Sequence, residues 1–175
     1  GSAAGAYAAG HLAACPKVDE LEGIRPPDAV TVNPMLGLDT LEPFLSAAGN
    51  CDKGLFVLVR TSNPGSAVLQ DVKLADGRTW SEMLADSLAP LTEDERLLGT
   101  SGFSSVGAVV GATQAHTMTS LRQRLPRSIF LLPGYGTQGA TAEMTKSAFV
   151  DGAHGALVSA SRSILYAHRE QQYAA

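Results

Sequence analysis

Five apolar runs of strand length recur along the chain, separated by stretches with helical spacing of their apolar positions. Asp28–Asn33 (DAVTVN), Gly54–Thr61 (GLFVLVRT), Ser105–Gly111, Ile129–Leu132 and Ala156–Ala160 carry strand character. The second is continuously apolar, as expected of a strand buried on both faces. Ala3–Ala14 is alanine-rich and predicts a helix, weakened by Gly5 and Gly10. Pro26-Pro27 ends the connection that follows it. Helices are predicted over Asp39–Ala48, with Asp39 as N-cap, and over Trp80–Leu91, Thr117–Leu125 and Ala140–Phe149, with a last one beginning at Tyr166 and running to Ala175. Ala75-Asp76-Gly77-Arg78 predicts a hairpin turn inside Lys73–Trp80, an excursion from the main pattern. Strands alternating with helices at this spacing imply right-handed βαβ units and a parallel sheet.

Two successive strand ends carry unusual content. Ile129–Leu132 opens into Pro133-Gly134-Tyr135-Gly136-Thr137-Gln138-Gly139, and the next strand runs into Ser161-Arg162-Ser163. Glycines let backbone N–H groups approach an anion closely, and a guanidinium grips phosphate oxygens with paired hydrogen bonds. Such a pair of βα loops matches the phosphate site of a (β/α)8 TIM barrel, between its seventh and eighth strands. The five strands then read as strands 4–8 of an incomplete barrel, with residues 1–175 forming the carboxyl-terminal part of a single barrel domain. Three more strands would be needed before residue 1.

Length supports that reading, because 175 residues hold a real core but fall short of the ~250 typical of a whole barrel. The net charge of −4, with no basic run, argues against a nucleic-acid partner. The longest apolar stretches are strand-sized, so no membrane span is expected, and Gly1–Leu12 lacks the basic and strongly apolar regions of a signal peptide. Cys15 and Cys51 have no metal-ligand spacing and read as free thiols of a reduced, cytoplasmic protein. His11, His116, His154 and His168 are scattered, with no i, i+4 pair and no acidic partner at metal spacing, so no metal site is expected. A Gly-X-Ser-X-Gly elbow is absent, which removes support for a hydrolase. No lysine directly follows a predicted strand, and Lys53 precedes its own.

Each candidate residue has two readings. The Ser62 hydroxyl, in the loop after Gly54–Thr61, can donate to and accept from an imide edge, or it can cap its own turn, as Asn63-Pro64-Gly65 invites. Gln138 either bridges a phosphate and a polar heterocycle or is an exposed loop residue. Arg162 ends a strand of small residues (Ser159, Ala160, Ser161) and is either a phosphate ligand or the ion-pair partner of a neighbouring loop. Tyr135 either closes over a ligand or covers the barrel mouth.

The stretches DAVTVNPMLGLDTLEPFL (Asp28–Leu45), GLFVLVRTSNPGS (Gly54–Ser66), LADGRTW (Leu74–Trp80), VVGAT (Val109–Thr113), PGYGTQG and SASRSILYA (Ser159–Ala167) occur in order from residue 28 to residue 167. Together they resemble the orotidine 5′-phosphate decarboxylases, in their longer bacterial, mycobacterial-like subgroup. The resemblance implies a (β/α)8 barrel that converts orotidine 5′-monophosphate to UMP and CO2 without a cofactor, the last step of de novo pyrimidine nucleotide synthesis. It implies a homodimer at full length. By position, Ser62 resembles the serine that hydrogen-bonds the pyrimidine edge, Gln138 the glutamine spanning phosphate and pyrimidine, and Arg162 the phosphate-gripping arginine. Tyr135 and Gly136 fall in the phosphate-gripping loop, and Ser161 stands where the wider family often has glycine.

The family's Asp-x-Lys-x-x-Asp signature, whose lysine protonates the carbanion, is expected just upstream of Gly1, so no catalytic residue is assigned within the chain. Ala3 stands where a threonine often follows that signature. On this reading the chain retains the recognition half of a site and is inactive alone. Two other readings stay open: a non-catalytic remnant or phosphate-binding module of the same fold, and another phosphosugar barrel such as a keto-gulonate phosphate decarboxylase relative.

Overall fold

The computed structural model describes residues 2–12, 27–136, 138–151 and 153–169. Cys15, Lys17, Pro26, Thr137 and the stretch predicted helical beyond residue 169 lie outside them. Helix α1 spans Ser2–Leu12, strand β1 Ala29–Val32, α2 Glu42–Asn50, β2 Gly54–Arg60 and α3 Ala67–Gln70. Helix α4 spans Trp80–Thr92, β3 Ser104–Val110, α5 Ala115–Arg124, β4 Ser128–Leu132, α6 Ala142–Thr145, β5 Ala156–Val158 and α7 Ser161–Leu165.

The strands form one sheet in the order β1-β2-β3-β4-β5. β1 runs parallel to β2 from Ala29 opposite Gly54 to Val32 opposite Val57, and β4 runs parallel to β5 from Phe130 opposite Ala156 to Leu132 opposite Val158. Each strand lies beside its predecessor, with no reversal of order. That is the winding of a barrel segment; a doubly wound sheet would reverse at a switch point.

Four expectations need adjusting. The helix predicted over Asp39–Ala48 is a 3-10 turn, Leu38–Leu41, followed by α2, and Asp39 sits inside the turn rather than capping a helix. The early part tightens because Thr40 Oγ1 and N both donate to Gly37 O, closing an i+3 turn. The helix expected over Ala140–Phe149 shrinks to α6 and a 3-10 turn, Lys146–Ala148, because Ala140 is already bridged to Tyr135. β5 ends at Val158, and Arg162 is the second residue of α7 rather than the last of a strand. Tyr166 is the C-cap of α7, its N–H donating to the Arg162 carbonyl, and the described start of the helix expected from Tyr166 is a 3-10 turn, Ala167–Arg169. The hairpin excursion is present, with Lys73 bridged antiparallel to Thr79 and Gly77 at φ +86°.

The chain divides into two compact units. The first comprises Gly1–Leu58, Pro90–Ala108 and Arg127–Ile129. Its core gathers Leu12 of α1, Ala48 of α2, Leu55 and Val57 of β2, and Val106 of β3, all buried. Gly107 interrupts an apolar strand because a Cβ there would lie 2.7 Å from both the Ile129 carbonyl and the Phe56 ring.

The second unit comprises Val59–Ala89, Val109–Pro126 and Phe130–Ala175. Val59, Leu88, Met118, Leu121, Phe130 and Leu132 are its buried heart. Arg122 is buried among them. Its guanidinium donates to the carbonyls of Ala148, Leu125 and Gly155 and lies 3.6 Å above the Phe130 ring. Burial pulls its pKa down to about 10. Charge-assisted bonds to backbone carbonyls thus tie the end of α5 to the turn after α6 and to the start of β5.

Across α4 and α5 of the same unit, Glu82 accepts from Ser120 Oγ at 2.6 Å and from Thr79 N at 2.7 Å. These bonds, the Ser120 one foremost, hold its pKa down at about 2 against the opposing effect of burial. The folded pKa lies below the ordinary 4.5, so the stabilisation is complete above that value and is lost as pH falls toward 2. Its ceiling is about 3 kcal/mol. Ser120→Ala is expected to lower unfolding free energy at about pH 6 by roughly 1–2 kcal/mol, with the gap from the unsubstituted chain narrowing at about pH 3. Urea titrations at the two pH values measure this; a gap that did not change with pH would remove Glu82 as its source.

Candidate functional site

The candidate residues lie in the second unit, in the loops that leave the carboxyl ends of β2 and β4 and at the start of α7. Two backbone bonds set those ends level: Gly111 N donates to Arg60 O at 2.6 Å, and Ala112 N donates to Pro133 O at 2.8 Å. Three loops therefore leave the sheet side by side. Barrel sites form at this end of the strands.

Ser62 leaves β2 two residues after its end and is half-buried. A Cβ at Gly111 would lie 2.8 Å from both Ser62 N and Ser62 Cα, and one at Gly134 would lie 3.1 Å from Ser62 Cβ. Two strand-end glycines therefore make the space that Ser62 fills. Gln138, exposed in the glycine loop, reaches the same point, since a Gly134 Cβ would sit 2.8 Å from its Oε1 and 3.3 Å from Ser62 Oγ. Residues 76 positions apart thus turn their polar atoms toward one spot above β4. Neither side chain has a hydrogen-bond partner among the described residues, which leaves both available to a ligand.

The turn-capping role considered for Ser62 falls to its neighbours. Ser66 Oγ donates to the carbonyl of Asn63 at 2.6 Å, and Thr61 Oγ1 donates to Asn63 Oδ1 at 2.6 Å. Nothing in the spacing of RTSNPGS tells the two serines apart. Only the path of the 3-10 turn Pro64–Ser66 does.

The glycine loop closes on itself. Tyr135 bridges to Ala140, Gly136 N donates to Ala140 O at 3.0 Å, and Gly139 N donates to Gly136 O at 2.8 Å. Gly134, Gly136 and Gly139 adopt φ of +96°, +72° and +90°, where any side chain is strained. The half-buried Tyr135 side chain borders a mostly apolar cavity of about 790 Å3 with Thr145, Phe149, Val158 and Ala160. On the other side, a Cβ at Gly136 would meet Ser163 Oγ at 3.8 Å, which sets the loop against the start of α7.

Ser161 and Arg162 open α7 and are exposed. Arg162 forms no ion pair among the described residues, so the alternative of a salt bridge to a neighbouring loop has no support there. Arginine roles divide clearly in this unit. Arg60 and Arg122 are buried and saturated by protein acceptors, whereas Arg162 is open to solvent. Sequence reasoning passed over Arg60, although an arginine closing an apolar strand signals a buried partner. Among the described residues no three His, Cys, Asp or Glu side chains gather as a metal site would require.

A family model described as orotidine 5′-phosphate decarboxylase / HUMPS matches residues 24–175. The chain is 40% identical over 176 residues to an orotidine 5′-phosphate decarboxylase of Rhodopirellula baltica, spanning 99% of the chain and 55% of that relative. It is 44% identical over 167 residues to one of Deinococcus radiodurans, spanning 95% of the chain and 56% of the relative. The solved structure of Leishmania donovani OMP decarboxylase superposes with a TM-score of 0.73 at 28% identity, covering 99% of this chain and 58% of that one. The chain therefore spans about half the length of the curated relatives it matches. Its matched residues, its singly wound parallel sheet and the glycine loop at the end of β4 agree on one placement: the chain belongs to the orotidine 5′-phosphate decarboxylase / HUMPS family.

Proposed function

We propose that the full-length protein decarboxylates orotidine 5′-monophosphate to UMP and CO2, and that this chain supplies the surface recognising the phosphate and the pyrimidine. The observation that carries this is the convergence of Ser62 Oγ and Gln138 Oε1 above Gly134, both without a hydrogen-bond partner among the described residues, beside the loop that abuts α7. Ser62 pairs with the imide edge of the base, Gln138 spans base and phosphate, and Arg162 grips the phosphate with Gly136 and Ser161 at its sides. Tyr135 belongs to the loop that closes on the nucleotide. Residues 1–175 form the carboxyl-terminal part of one barrel domain, and the full-length protein is a cytoplasmic homodimer.

Decarboxylation leaves an electron pair on carbon, which preorganised positive charge must stabilise and an acid must protonate. Phosphate contacts remote from that carbon assist by driving loop closure and fixing the base. The described lysines do not fit the acid. Lys53 precedes β2 and pairs with Asp28, Lys73 lies in the hairpin, and Lys146 pairs with Glu143. The family description also includes HUMPS enzymes, but the relatives of 40% and 44% identity are named orotidine 5′-phosphate decarboxylases, which favours the nucleotide. Competition between UMP and a pentulose phosphate for the same site distinguishes the two.

Three outcomes are expected. In the full-length protein, Arg162→Ala lowers kcat/KM for orotidine 5′-monophosphate by the equivalent of about 2–4 kcal/mol, the scale of a lost bidentate charged contact; an unchanged value removes Arg162 from the site. Ser62→Ala weakens UMP binding by roughly 1–3 kcal/mol while sparing inorganic phosphate. An equal loss for phosphate reduces Ser62 to shaping its loop. The 175-residue chain by itself shows no turnover when substrate absorbance is followed, and extension through the family's amino-terminal βα units restores it. Turnover by the chain alone contradicts the assignment of the acid to another segment.

A further inference from the structure

The peptide groups on either side of Thr61 are held by the side chains of Arg60 and Gln70. Arg60 closes β2 with its guanidinium buried. It donates through Nε and Nη2 to the two carboxylate oxygens of Asp71, each at 2.8 Å. Its Nη1 donates to the Thr61 carbonyl at 2.6 Å and to Ser66 Oγ at 2.5 Å. The Thr61 carbonyl belongs to the peptide group that carries Ser62 N, so the guanidinium holds that plane directly. Gln70, the last residue of α3, holds the preceding plane: its Oε1 accepts from Thr61 N at 2.8 Å. From the opposite side Gly111 lies against Ser62 N and Cα so closely that a Cβ would reach within 2.8 Å of both.

We infer that Gln70 is a positioning residue for the Ser62 hydroxyl, working with the Arg60–Asp71 pair, and that it determines specificity for the base without touching the ligand. The inference rests on the reading of Ser62 as the group that meets the pyrimidine. Thr61 has its N–H bound by Gln70 and its carbonyl by Arg60, while the Ser62 side chain has no hydrogen-bond partner among the described residues. That is an expensive arrangement for a loop with no aiming task, since two side chains lose rotamer freedom to fix one residue. A carboxamide oxygen at position 70 is the requirement. Gln70→Ala removes the acceptor and orphans Thr61 N, whereas Gln70→Glu keeps an acceptor in reach of Thr61 and of the Arg60 guanidinium.

The test is a double-mutant cycle in the full-length protein, reading dissociation constants for UMP and for inorganic phosphate. Gln70→Ala is expected to weaken UMP binding about tenfold and phosphate less than about twofold, with Gln70→Glu recovering most of the loss. In a Ser62→Ala background, Gln70→Ala is expected to cost less than about twofold further, because the group it aims is gone. Additive losses in the cycle, or equal losses for UMP and phosphate, overturn the inference while leaving the role of Ser62 intact. UMP affinity unchanged by Ser62→Ala overturns the reading of Ser62 and the inference with it. Thermal unfolding of each variant separates aiming from damage: a Gln70→Ala protein that binds phosphate normally is folded at its site.

Discussion

The register of the parallel ladder at the carboxyl ends of β2, β3 and β4 is the constraint on which the candidate site depends. Gly111 N donating to Arg60 O and Ala112 N donating to Pro133 O extend the pairing just past the strands. They bring the loops beginning at Thr61, Gly111 and Pro133 to one level. A slip of one residue would turn every side chain to the opposite face. It would also carry Ser62 away from Gly134. Glycines at 111 and 134 are the condition for this closeness, since a Cβ at either would press on Ser62. Residue type and register are therefore one requirement in this place.

Three arginines of the same unit show how environment assigns chemistry to identical groups. Arg122 is surrounded by carbonyls and an aromatic face, and its burial lowers its pKa to about 10. Arg60 is buried beside a carboxylate that meets it in a two-pronged fork. Both are fully used by the protein, and their removal would orphan buried acceptors. Arg162 is exposed and forms no ion pair among the described residues, so its guanidinium stays open to an anion.

Recognition by a small number of polar atoms demands that they be held still. Ser62 contributes one hydroxyl whose direction follows its backbone, and that backbone is held by Arg60 and Gln70 on one side and by Gly111 on the other. The glycine loop is organised differently. Three residues with positive φ and a backbone bridge between Tyr135 and Ala140 shape it, with no side-chain clamp of the kind on Thr61 among the described residues.

The order of strands and helices, the parallel sheet and the hairpin at Asp76-Gly77 were legible in the chain itself, because burial on both faces and turn chemistry write local patterns. So were PGYGTQG as a glycine-rich loop after a strand and the family resemblance carried by VRTSNPGS. Element ends were less legible: β5 stops at Val158 and Arg162 enters a helix, because the ladder to β4 continues only as far as Ser159 N and the Leu132 carbonyl. The choice between Ser62 and Ser66 as turn cap, the clamp on Thr61, and the meeting of Ser62 with Gln138 depended on tertiary structure. Each joins atoms whose separation is set by strand register and by the path of a turn, and a one-dimensional pattern carries neither. Sequence determined which polar residues the strand-end loops carry; packing decided that Ser62 and Gln138 turn toward the same point.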